Sequence, residues 1–327
     1  RNAKKKMAPR DRSIDDEGFF WSATDEPHAS RRKAILSEHP EIKELAGFDW
    51  RSKYVVIALV AIQIYIATRV QYWSWPWIIV AAYAIGGTIT QSLTLAIHEL
   101  SHNLMFKAVS SNRYFSYFAN LPLVFAYAVS FKKYHMEHHQ YQGVTGVDMD
   151  IPTPAEGRFF TTPLRKFFWV FFQVLFYAFR PILMNPYNPG KKELLNWIVC
   201  LSFDFALAYY FKPIAVVYLL LSMLLGLGPH PMAGHFIAEH YVFVEGYETY
   251  SYYGPLNFLG FWVGFHNEHH DFPRIPGSRL HKVREAAPEY YEALPQYTSW
   301  TKVIWDYVFK PQVSPFSRVK RANKKQK

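Results

Sequence analysis

Long apolar stretches alternate with charged ones along this chain, and four of them read as helices that cross a bilayer. Residues 54–70 form the first. Residues 74–97 form the second, 24 positions without a charge, which rise about 36 Å as a helix. Trp73, Trp75 and Trp77 gather at its entrance, as aromatic residues do at a membrane surface. Residues 194–211 and 213–234 are the third and fourth. Asp204 lies inside the third span; such a carboxylate is costly and marks function, or it faces the bundle with a hydroxyl partner. Pro229 and Pro231 should kink the fourth.

Two more apolar runs do not read as spans. Residues 114–131 contain Asn120-Leu121-Pro122 and must return before Lys132 and Lys133, which predicts a shallow hairpin. The aromatic run 167–179 has 13 residues between Arg165-Lys166 and Arg180-Pro181, short of a span, and reads as an interfacial helix. The chain thus divides into a polar N-terminal segment (1–52) with a short helix over 28–45, a membrane-bound core (53–270) and a polar tail (271–327). The fold class is an all-α integral membrane protein: four transmembrane helices, with a cytosolic domain built from histidine clusters and interfacial helices.

Composition adds a side to this picture. Half the residues are hydrophobic, 18% are aromatic and the net charge is +10, so apolar and basic residues are segregated. That profile suits a membrane protein with charged cytosolic parts, and no nucleic-acid partner is expected. An even number of spans puts both termini on one face. Lys and Arg concentrate there, while the two outer turns hold only Arg69 and Lys212, so that face is cytosolic. The basic start has no apolar stretch behind it, which argues against a cleaved signal peptide, and Met7 is a candidate initiator. A single cysteine, Cys200, excludes an intrachain disulfide. Lys324-Lys325-Gln326-Lys327 matches a dilysine signal for retrieval to the endoplasmic reticulum, or is an ordinary solvated basic tail.

Histidine supplies the chemistry. Of fourteen histidines, eight fall in three clusters: His98 and His102; His135, His138 and His139; His266, His269 and His270. The first pair is spaced i, i+4 on a helix, and the other two clusters repeat H-x-x-H-H. A lone histidine is usually a satisfied core residue. Three clusters that each aim several imidazoles at a common point indicate metal, and eight or nine nitrogen donors indicate two ions. A nitrogen-rich two-metal centre at a membrane surface suits oxygen activation, because no side-chain acid or base can take hydrogen from an unactivated methylene. Two rivals remain. His98-Glu99-Leu100-Ser101-His102 matches the H-E-x-x-H of zinc proteases, but leaves two clusters without a purpose. A metal carrier would need histidines deep within the spans, whereas these sit at their ends.

The pattern H-x-x-x-H, H-x-x-H-H, H-x-x-H-H at the ends of four spans resembles that of the membrane-bound fatty-acid desaturase superfamily. Other stretches resemble its sphingolipid Δ4-desaturase (dihydroceramide desaturase) branch: Pro27-His28, Arg31-Arg32, residues 146–153 and 234–240, and 266–276 among them. The resemblance covers nearly everything from about residue 18 to 318. It implies a di-iron enzyme that inserts a trans double bond between carbons 4 and 5 of the sphingoid base of dihydroceramide, giving ceramide, with O2 as co-substrate. The eight clustered histidines carry over as ligands and catalytic residues. Electrons would come from cytochrome b5 and its reductase, since His39-Pro40 and His230-Pro231 lack the Gly-Gly of a fused haem domain. A 4-hydroxylase or a fatty-acyl desaturase on the same scaffold is the alternative.

The resemblance also implies a ninth ligand from the fourth span. At about 100° per residue His235 and His240 point about 140° apart, so both cannot reach one iron. His240, nearer the last cluster, is favoured; His235 would face the substrate channel or a polar partner. Glu239 and His230 are weaker choices. Asp148, Asp150, His235, Glu239 and Asn267 are candidates to support ligands from behind, with loop capping as the alternative for the two aspartates.

Overall fold

A computed structural model describes residues 13–323. Met7 and the Lys324-Lys325-Gln326-Lys327 signal lie outside the described residues. The chain opens with strands β1 (Ser13–Ile14) and β2 (Phe20–Trp21), then helix α1 (Pro27–Glu38) and a 3-10 turn at Pro40–Leu45. Helix α2 (Ser52–Arg69) is the first long apolar rod. The second is composite: α3 (Trp75–Ala81), a π-helical turn at Ala82–Gly87, and α4 (Thr88–Ser101). It continues to Ser101, past the expected end at residue 97, so the first histidine cluster begins in its last turn.

Helices α5 (Val109–Asn120) and α6 (Ala128–Tyr141) meet at 113°. Asn120 caps the bend: its Oδ1 accepts the Tyr127 and Ala128 N–H groups, and its Nδ2 donates to the Phe125 carbonyl. His102 before this hairpin and His135 within it approach to 2.9 Å, so the hairpin returns to the side it left.

Helices α7 (Pro154–Phe159) and α8 (Pro163–Met184) follow. The aromatic run is longer than the charges around it suggested: α8 has 22 residues and is apolar enough to cross a membrane. Lys166 and Arg180 do not end it because both are buried and partnered. Lys166 Nζ donates to the carbonyls of Lys310 and Val313, and Arg180 pairs with Glu156 at 2.6 Å. Both ends are therefore tied to neighbouring segments, while the opposite face exposes Phe168, Leu175 and Ile182.

Helices α9 (Lys191–Phe211) and α10 (Pro213–Gly226) complete the bundle. Among the described residues four helices are long and apolar enough to span: 52–72, 75–101, 163–184 and 191–211. The fourth expected span, 213–234, is instead broken. A 44° bend separates α10 from the segment Pro231–Ala238, whose last four residues are α11 (His235–Ala238). Pro229 and Pro231 leave carbonyls of the preceding turn free. Gln91 Nε2 takes that of Gly226 and Gln173 Nε2 that of Leu227. The π-turn packs on α10 by glycine, since a Cβ on Gly226 would stand 2.6 Å from Gly87 Cα. Asp204 is buried on the inner side of α9, but its Oδ1 has no hydroxyl partner.

Strand β3 (Ser251–Tyr252), α12 (His266–Asp271), α13 (Gly277–Ala286), α14 (Pro288–Tyr291), strand β4 (Gln296–Tyr297), α15 (Trp300–Phe309) and strand β5 (Val319–Lys320) end the chain. The N-terminal segment and the tail, which composition set apart from the core, are built into it. β2 lies between β1, antiparallel, and β5, parallel, and β3 pairs with β4 in parallel. Ile35 and Ile42 share a core with Phe272, Ile275, Leu280 and Tyr291. Burying these side chains together holds both chain ends against α12.

Candidate metal centre

The histidine clusters converge from four places: the end of α4, helix α6, the chain just beyond α11, and α12. They do not meet at one point. His98, His102, His135, His139 and His269 form one group whose nitrogens all lie within 4.8 Å of one another. His138, His240 and His270 form a second. His266 joins the second through His240, with Nε2 atoms 2.9 Å apart.

The H-x-x-H-H spacing explains the split. Positions i and i+4 lie on one helix face, and the intervening i+3 residue is turned away by about 60° to 100°. On α6, His135 and His139 supply the first group and His138 the second. On α12 the roles reverse: His266 and His270 supply the second group and His269 the first. Adjacent rings on each helix thus serve different sites. Where the sites meet, His139 stacks on His270 with centroids 4.1 Å apart and planes at 17°.

These nitrogens suit metal. In the first group the Nε2 atoms run His102, His135, His139, His269 at successive separations of 2.9, 3.1 and 3.1 Å. One Nε2 carries a single proton or a single lone pair, whereas His135 and His139 each face two neighbours. The buried Nε2 atoms of His98 and His270 have no partner. Burial also pushes His240, His266, His269 and His270 well below the ordinary imidazole range, which keeps them neutral and their lone pairs free.

Behind the rings sit groups that fix which nitrogen faces inward. His138 Nδ1 donates to Asp148 Oδ1 at 3.0 Å, with Asp150 at 3.5 Å. Asp148 also accepts from the N–H groups of Gly143 and Asp150, so one carboxylate both caps the loop and orients the ring. His240 Nδ1 donates to the Glu248 carbonyl at 3.2 Å. Outer partners of this kind are commonly worth tenfold to a hundredfold in metal affinity. Asp148→Asn is therefore expected to lower metal affinity about tenfold, and an unchanged metal content and rate would assign the residue to the loop alone.

His235 stands apart from both groups. Its Nδ1 bonds Glu239 at 2.9 Å, and the same carboxylate oxygen is 3.7 Å from His266 Nδ1. Asn267 points away from the nitrogens: its Nδ2 donates to the Thr249 carbonyl and its Oδ1 accepts from Arg31. Glu99 is occupied in packing, its carboxylate accepting the Gly277 N–H at 3.0 Å. His98 and His102 are shared with three further histidines, so the H-E-x-x-H match does not form a separate protease site. His230 lies in the bundle against Thr88, and His39 uses both ring nitrogens on Glu41 and Glu289.

Residues without a sequence-assigned role also border the site: His28, Arg31, Thr249 and Asp271. Their only signal was membership in stretches resembling other proteins, since buried polar pairs more than two hundred residues apart have no spacing to read.

A family model described as fatty acid desaturase matches residues 73–301. Another, described as sphingolipid Δ4-desaturase, matches residues 15–51. The chain is 52% identical to a sphingolipid delta(4)-desaturase DES1 of Drosophila melanogaster, over 93% of this chain and 95% of that one. It is 51% identical to the DES1 of Homo sapiens, over 95% and 97%. A sphingolipid delta(4)-desaturase/C4-monooxygenase DES2 of Rattus norvegicus is 52% identical, over 93% and 94%.

Proposed function

Because this chain belongs to the fatty acid desaturase family and to its sphingolipid Δ4-desaturase branch, we propose that it converts dihydroceramide to ceramide. Hydrogen leaves carbons 4 and 5 of the sphingoid base and a trans double bond remains. The observation that carries the reading is the pair of histidine groups, five rings and four, brought together at the ends of apolar helices. Two iron ions, when bound, supply the redox chemistry by which O2 takes two hydrogens from the lipid and two electrons and two protons from elsewhere, giving two waters.

The protein's part is to hold and orient. His98, His102, His135, His139 and His269 would hold one ion; His138, His240, His266 and His270 would hold the other. Asp148 and the Glu248 carbonyl fix the Nδ1–H tautomers of His138 and His240, so both present Nε2 to the metal. The apolar rods keep the alkyl chains of the substrate in the bilayer while the reacting carbons, close to the polar head, reach the histidine layer.

The electron donor is cytochrome b5 with its reductase. The net charge of +10 supports this by favouring an acidic partner. The location is the endoplasmic reticulum membrane, with the histidine groups and both termini cytosolic; the basic bias of that face supports it. The second name carried by the rat relative favours 4-hydroxylation as the alternative outcome, since both reactions begin with hydrogen abstraction near the same carbon.

The test is mass spectrometry of sphingolipids in desaturase-deficient cells that express this chain. Ceramide should appear at the expense of dihydroceramide. Accumulation of the 4-hydroxylated base alone would replace the desaturase reading with the hydroxylase one, and unchanged sphingolipids would end both.

A further inference from the structure

The second histidine group is assembled from three separate segments: α6, the stretch from His240 to Thr249, and α12. A residue of the N-terminal segment is bonded beside the last two and reaches the first through Thr249, which accepts from Gln142. His28, on α1, is 4% exposed. Its Nδ1 lies 2.8 Å from Asp271 Oδ1 and its Nε2 lies 2.9 Å from Thr249 Oγ1. Arg31 bonds the same aspartate from its Nε at 2.6 Å, and Tyr291 donates to it as well.

These contacts fix the direction of each bond. A carboxylate only accepts, so in the neutral ring His28 Nδ1 carries the proton toward Asp271 and Nε2 accepts from the Thr249 hydroxyl; Arg31 Nη2, 3.0 Å from Nδ1, donates to Asn267 and Asp271 instead. The hydroxyl oxygen then accepts from Gln142 Nε2 at 3.2 Å. Asp271 immediately follows His270, and Gln142 is four residues beyond His138. Thr249 follows Glu248, whose carbonyl takes the His240 Nδ1–H. The His28 ring also lies against His270, centroids 4.8 Å apart.

We propose that His28 is a positioning residue of the metal centre: it ties α6, the His240–Thr249 stretch and α12 together so that four imidazoles converge on the second ion. The N-terminal segment is then part of the site and not an appendage to it. This rests on the two-ion reading given above. A solvated helix would turn its histidine and arginine outward, whereas α1 turns both onto α12.

A cavity of about 320 Å³ opens beside α1, lined by Glu26, His28, Arg32, Met136, His139 and His270. It gives a small molecule access to the space that the His28 ring occupies, which makes chemical rescue practicable. The experiment uses full-length protein in detergent and reads iron per chain and the rate of iron loss to a chelator. Wild-type protein should hold about two ions. His28→Ala should keep about one and release the other tenfold to a hundredfold faster. His28→Asn, which still donates to Asp271, or millimolar imidazole added to His28→Ala, should restore the second ion.

His28→Ala with wild-type iron content and release rate overturns the proposal. So does loss of iron that neither His28→Asn nor imidazole restores, because that marks a packing role only. If His28→Ala does not elute as a folded protein, Thr249→Val, which removes the Nε2 partner and the Gln142 bond with it, must show faster release, and a wild-type rate overturns the proposal. Wild-type protein with fewer than two ions overturns the two-ion reading and this inference with it.

Discussion

Replacing any one of His98, His102, His135, His138, His139, His266, His269 or His270 by alanine is expected to abolish turnover. On the two-ion reading each ring is one of only four or five nitrogen donors gathered in its group. Changing an outer partner typically costs tenfold to a hundredfold in metal affinity, so loss of a donor itself should cost more than about a hundredfold. The two groups also give the variants different signatures. His102→Ala should deplete the five-histidine site and His266→Ala the four-histidine site, each leaving about one iron per chain. Ceramide formation in cells, with iron analysis of the purified variants, checks both parts. Near-normal activity in three or more of the eight variants would refute the di-iron reading.

His240→Ala should lose iron while His235→Ala keeps it. The helix that carries both, α11, ends at Ala238, so the chain is already turning when it reaches His240. His240 Nε2 lies 3.0 Å from His138 Nε2 and 2.9 Å from His266 Nε2, central to the four-ring group. His235 belongs to neither group, and its Nδ1 is bonded to Glu239. Elemental analysis should find about one ion in His240→Ala and about two in His235→Ala. The opposite result would remove His240 from the ligand set and give its place to His235.

Much of this was legible in the sequence because it is local. A helix places i and i+4 on one face whatever surrounds it, so spacing alone marked His98 with His102 and the two H-x-x-H-H boxes as donors. Long apolar runs gave α2, α4 and α9, since a run of about twenty apolar residues marks a possible span whatever packs around it. The turn at Asn120-Leu121-Pro122 was legible for the same reason: proline breaks a helix locally, and a short polar side chain caps the break.

What long-range contact decides could not be read this way. Spacing suggested that each box aims its imidazoles at one point, but adjacent rings on a helix diverge, and only the crossing of α6 with α12 gives each a separate partner. The charges beside the aromatic run marked an end to α8 because nothing local reveals that Lys166 meets two distant carbonyls and Arg180 meets Glu156. Residues 1–52 were set apart from the core because their composition is polar. Yet Ile35 and Ile42 enter a core with residues beyond 265, and His28 and Arg31 bond Asp271 across about 240 positions of chain. Sequence by itself determined which residues can hold metal and which segments can cross a membrane, since both follow from the geometry of one helix. Which rings stand together, and which outlying residues pack behind them, only the tertiary structure decided, because such pairings exist only once distant segments have packed.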